Sequence, residues 1–187
     1  MKKTVITQIF AFVCLAAFGQ GNQQIVQTKK EGFKAYEVEV ADYESLINKT
    51  RLEAGAGKLV RKSELDSYCY ERCIRLMNIF LSDPEAYVLD YHKNTIFHKE
   101  AHAGYKLMEN ATEWLNWKVS NLGVEINDGY NESPGHYKNR VNPEWKAYGT
   151  CSIVINFNAI NEDYDPSVPT SRKYLPKQLL FSYEAFK

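Results

Sequence analysis

The sequence predicts an α+β fold in which helices cover an antiparallel sheet, because helical patterns come first and β patterns last. Two amphipathic segments carry the helical prediction. In DYESLINKTRLEAGAG, Tyr43, Leu46, Ile47 and Thr50 share one face, and Gly55 and Gly57 end the helix. In SELDSYCYERCIRLMNIFL, Leu65, Tyr68, Cys69, Leu76, Met77 and Phe80 recur at helical spacing behind Ser63 as N-cap. Asp83-Pro84 is expected to stop that helix. The β prediction rests on GTCSIVINF, which alternates and is rich in β-branched residues, and on QLLFSYEAF, which closes the chain.

Between these anchors the pattern is weaker. Residues 20–40 are polar, rich in Gln and Lys, and are expected to form a flexible lead-in. Residues 85–103 are mixed and hold three of the four histidines, His92, His98 and His102. YKLMENAT reads as a short strand or turn, and residues 118–131 as a weak helix interrupted by Gly123 and Gly129. Ser133 is suited to an N-cap and Pro134 to the first helical position, so SPGH starts a further helix. NEDYDPSVPTSRKYLP is turn-rich and is expected to be a long loop. Its Glu162, Asp163 and Asp165 lack the Gly and terminal Glu of an EF-hand loop.

Size and charge narrow the function classes. The 187 residues suit one domain with a real core, at 44% hydrophobic and 25% charged. With 23 basic against 23 acidic residues, neither a nucleic acid nor a membrane surface is an expected partner. Lys2 and Lys3 precede VITQIFAFVCLAAF, an apolar run too short to span a bilayer, and Ala17 and Gly19 suit a signal-peptidase site. Residues 1–19 are therefore expected to be a cleaved signal peptide, and the protein to be secreted or periplasmic with no stable membrane span. Cys14 follows Val13 rather than a small residue, which argues against lipidation.

Export permits disulfides, yet the remaining Cys69, Cys73 and Cys151 are odd in number. Cys69 and Cys73 lie one helical turn apart, and either can face Cys151 if the helix packs on the strand. Three buried thiols are the equal alternative.

The chain has no GxGxxG, P-loop, GxSxG or HExxH pattern. It offers His98, Glu109 and His136 instead. Two histidines and a carboxylate can form an open zinc site or an acid–base pair. His136 falls in the first turn of its helix, where the dipole keeps an imidazole neutral.

These segments together resemble the CAP superfamily (cysteine-rich secretory proteins, antigen 5, pathogenesis-related 1; the SCP-like extracellular domain) in its bacterial form. Leu46, Asn48, Arg51, Gly55 and Leu59 resemble the family's opening pattern. IFH ending at His98 is similar to its Phe-Ser-His, and Met108-Glu109-Asn110 to its Gly-Glu-Asn. SPGHYKNRVNPEW is the most specific match, with His136 as the second histidine. Tyr148-Gly149 and the closing strands complete it, over residues 41–187. The resemblance implies a three-layer α-β-α sandwich with a groove lined by two histidines and two acids. Some members hold a divalent metal, often zinc, and others a sterol or other lipid. His98, Glu109 and His136 carry over as groove residues and metal ligands. The family's second Glu falls at Ser133, and its upstream Trp at Tyr130, with Glu132 and Asp128 the neighbouring acids. His102 competes with His98, but the eleven-residue step to Glu109 favours His98.

The incomplete set of acids favours a non-enzymatic binding protein for a divalent metal, with zinc the candidate ion, or for a small or lipid-like ligand. A hydrolase using Glu109 or a histidine is the alternative, and a secreted protein-interaction module with an idle groove is the third.

Overall fold

A computed structural model describes residues 23–28, 30–40, 42–101, 107–115, 122–157, 167 and 178–187. The expected signal peptide, His102, Glu162, Asp163 and Asp165 lie outside them. In chain order the elements are β1 (Gln23–Val26), β2 (Phe33–Val38), α1 (Tyr43–Glu53), β3 (Val60–Arg61), α2 (Ser63–Ser82), α3 (Pro84–Asp90), α4 (Thr95–Ala101), β4 (Met108–Leu115), α5 (Leu122–Glu132), α6 (Pro134–Arg140), β5 (Ala147–Phe157) and β6 (Gln178–Phe186). The fold is α+β with an antiparallel sheet ordered β1-β2-β5-β6-β4; β3 adds a short parallel pairing to β5.

Strands β5 and β6 are buried along nearly their whole length, as befits the middle of the sheet. Their alternation sorts two cores. Ile153, Ile155, Phe181, Tyr183 and Ala185 pack with Cys69, Cys73, Leu76 and Phe80 of α2. Val154, Leu180 and Phe186 pack with Tyr43 and Ile47 of α1 and Ile126 and Tyr130 of α5.

Helix α1 ends as the sequence requires. Gly55 adopts φ +74°, Gly55 N–H donates to Leu52 O and Ala56 N–H to Arg51 O, which is a Schellman closure. Gly149 has a different reason. A Cβ there would lie 2.2 Å from Leu65 C and 2.4 Å from Asp66 N, so only glycine lets β5 meet the start of α2.

Several expectations are corrected. Where residues 23–28 and 30–40 are described, the expected flexible lead-in gives way to strands β1 and β2, with Ala35 opposite Ile155 of β5. Ser63 is the first residue of α2, and Lys62 holds the cap position. Residues 85–103 hold two helices, because Asp83 both ends α2 and caps α3, its Oδ1 accepting from Ala86 N–H at 3.0 Å. YKLMENAT contains the start of a full strand, β4, registered against β6 from Met108↔Phe186 to Leu115↔Leu179.

Candidate functional site

The register of β4 decides where its acids point. Glu109 pairs with Ala185 and faces α2, whereas the adjacent Asn110 pairs with Glu184 and faces α6. Each face carries its own polar cluster.

On the α2 face, the Glu109 carboxylate is fully engaged. Its Oε1 accepts from Arg72 Nη2 at 2.7 Å, and its Oε2 accepts from Tyr68 O–H at 2.7 Å and Arg72 Nε at 3.1 Å. Arg72 is 2% exposed and also donates to Glu100 Oε1 of α4 at 2.8 Å, where Arg75 Nε approaches to 2.5 Å. The Arg72 guanidinium lies 4.9 Å from the Tyr183 ring centroid. Two arginines thus balance two carboxylates, which is what a buried ionic cluster requires. His98 stands on the exposed side of α4, two residues before Glu100, with its ring beside Phe97.

On the α6 face, Arg140 and Glu184 form a fully buried ion pair at 3.1 Å. Tyr43 O–H also donates to Glu184 Oε1, and Asn110 Nδ2 to its Oε2 at 2.9 Å. Arg140 continues to Asn131 Oδ1 at 2.6 Å and Asn127 O at 3.1 Å. His136 is half-buried at this cluster. Its ring meets the Tyr130 ring edge-on at 5.3 Å, and its carbonyl accepts from Asn110 Nδ2 at 3.2 Å. Burial lowers the pKa of His136 from 6.5, and Arg140 adds to this against the opposing pull of Glu184. The imidazole is neutral at pH 7, as its place in the first turn suggested. Ser133 occupies the N-cap position, but its hydroxyl makes no capping hydrogen bond.

The structure therefore places the Glu109 carboxylate and the His136 ring on opposite faces of the sheet. Among the described residues no three His, Cys, Asp or Glu side chains gather as a metal site. With Glu109 held by Arg72 and Tyr68, His98, Glu109 and His136 do not fit a divalent ion as they stand. Glu132 and Asp128 are exposed on α5 and supply no second acid to either cluster.

The motif residues have another common property: they tie elements together. Asn48 pairs with the Leu59 backbone in both directions, at 2.8 and 3.1 Å. Arg51, fully buried, donates to the carbonyls of Gly57, Arg140, Asn142 and Trp145, joining α1 to the segment after α6. Asn139 donates to Asn110 Oδ1 at 2.9 Å, joining α6 to β4.

An open groove of about 760 Å³ runs along α2. Tyr68, Tyr70, Ile74 and Ile79 give it apolar surface, with Glu71, Arg72, Arg75, Asn78 and Ser82 interspersed along the same helix. Its volume and mixed lining suit partial contact with a small ligand. None of His98, Glu109, Ser133 or His136 lines it; Glu109 connects to it through Tyr68 and Arg72. Sequence reasoning missed this site, since Tyr70, Ile74 and Ile79 sit outside the core-facing stripe of α2.

No family model and no curated protein matches the chain. The structure has a limited similarity to an outer surface protein from Borrelia burgdorferi, with a TM-score of 0.39 and 11% identity over 81% of this chain and 98% of that one.

Proposed function

We propose that this chain is an exported, non-enzymatic binding protein of the CAP type, and that it holds a small amphiphilic ligand against α2. The observation that carries the reading is the open groove of about 760 Å³ along α2, where Ile74 and Ile79 lie beside the exposed Arg75. An acyl or sterol-like body suits Tyr70, Ile74 and Ile79, and a hydroxyl or carboxyl head suits the exposed Arg75. The engaged state of Glu109 supports binding over hydrolysis, because a general base needs an oxygen open to water or substrate.

The family reading is supported by the motif residues Asn48, Arg51, Asn110 and Asn139, whose spacing serves joints between elements. Helices in both apolar cores support the three-layer α-β-α form. For export, the short apolar run at the N-terminus is the support. Among the described residues no helix is long and apolar enough to cross a membrane. The metal form of the reading ranks second, since Glu109 must leave Arg72 before it can join a histidine on zinc.

Fluorescence titration of the full chain with a dansyl-labelled fatty acid tests the proposal. Saturable binding is expected in the wild type, with at least a tenfold loss in Ile74→Glu and no change in His98→Ala/His136→Ala. Absence of binding by the folded wild type refutes it. Zinc binding by calorimetry that disappears in the double histidine variant establishes the metal form instead.

A further inference from the structure

The three thiols lie between α2 and β5, and the structure distinguishes them. Cys69 Sγ sits 3.4 Å from Gly149 O, whereas Cys73 Sγ sits 3.4 Å from Cys151 O and 3.8 Å from Phe181 O. Thus each helix cysteine addresses a different residue of the strand, and Cys73 is the one set over Cys151. All three are free in this structure. Cys69 and Cys73 are fully buried, but Cys151 retains 5% exposure and lines a small cleft of about 170 Å³ beside Glu37 and Arg61.

We propose that Cys73 and Cys151 form a disulfide under oxidising conditions, pinning α2 to the centre of the sheet and leaving Cys69 as a buried thiol. The reaction needs a disulfide oxidant such as glutathione disulfide. The Cys151 thiolate attacks one glutathione sulfur, making a mixed disulfide and releasing one glutathione thiolate. The Cys73 thiolate then attacks the Cys151 sulfur, and the second glutathione thiolate leaves. The two protein thiols give up two protons and two electrons, and one glutathione disulfide becomes two glutathione thiols after proton uptake. The order follows exposure, as Cys151 is reached through the cleft while Cys73 is fully buried. Burial raises the Cys73 thiol well above its ordinary pKa, so the bridge closes fastest while the chain is still folding.

The inference is independent of the ligand reading. If the fatty-acid probe fails to bind, the bridge is unaffected, and if the bridge fails, the groove remains.

The test is refolding of the reduced full chain in a glutathione redox buffer, followed by alkylation and non-reducing peptide mapping. The expected product is two hydrogens lighter than the reduced chain, with Cys73 and Cys151 peptides linked and Cys69 alkylated. It unfolds at higher urea than the reduced protein, and reductant reverses the shift. Cys69→Ala is expected to keep the bridge and Cys73→Ala to lose it. A dominant Cys69–Cys151 link overturns the assignment. Alkylation of Cys69, Cys73 and Cys151 together in natively refolded wild type at every buffer ratio overturns the proposal.

Discussion

Glu113 offers a stability switch whose size follows from its surroundings. The residue lies on β4 facing α3 and is 8% exposed. Its Oε2 accepts from Tyr87 O–H at 2.5 Å, while its buried Oε1 has no partner. Burial raises its pKa from an ordinary 4.5 to about 7; Tyr87 opposes the rise and Asp90 adds to it. For an acid raised in the fold, the folded chain binds more protons than the unfolded chain between those two values. The contribution is therefore complete below pH 4.5 and lost as pH rises through 7. At about 1.4 kcal/mol per pH unit, the gap bounds the loss at roughly 3 kcal/mol. Glu113→Gln imitates the protonated form and removes the titration. Urea unfolding at half-unit steps from pH 4.5 to 8 checks this. The wild type should weaken relative to Glu113→Gln as pH rises, and the variant should be the more stable at pH 8. Parallel profiles for the two proteins would refute the argument.

Other perturbations follow from the same reasoning. Arg72→Met leaves Glu109 buried without its cation and Glu100 with Arg75 alone, and should cost about 3–5 kcal/mol in urea unfolding. Glu184→Gln strands the fully buried Arg140 and should cost about the same. The double variant Arg140→Met/Glu184→Leu should lose less than the two single losses added, as a thermodynamic cycle will show. Gly149→Ala drives a methyl into the α2 backbone and should destabilise by on the order of 3 kcal/mol, measured by thermal unfolding. His136 should titrate below 6.5 by NMR, and its contribution to stability should be complete above that pH and decline as pH falls through its folded value.

The legible parts of this fold were those where periodicity and burial coincide. The apolar stripe of α2 and the β-branched run of β5 face the core they imply, so their classes and approximate bounds could be read directly. Strands β1 and β2 could not. FKAYEV pairs on one side with β5 and shows a burial pattern with only Ala35 and Val38 fully inside, so no regular alternation marks it as a strand within the Gln- and Lys-rich stretch around it. The site was hidden for a different reason. Arg51, Arg72 and Arg140 read as solvated charges until residues far along the chain bring carbonyls and carboxylates to them. Glu184 left one usable signal, as the single acid in an otherwise apolar strand. The face on which Glu109 points was also illegible, because one residue of register in β4 decides it.

Sheet order has a consequence for how the chain comes to be folded. Strand β6, the last element in sequence, lies between β5 and β4, so β4 has no neighbour in the described sheet until β6 arrives. Helix α2 and the earlier strands must wait with their apolar faces uncovered while the chain lengthens. Assembly is thus committed late and all at once, through pairings distant in sequence, which makes folding slow. A protein interrupted before residue 178 would be an open sheet with a bare edge, exposed to proteases and prone to pair with its own kind.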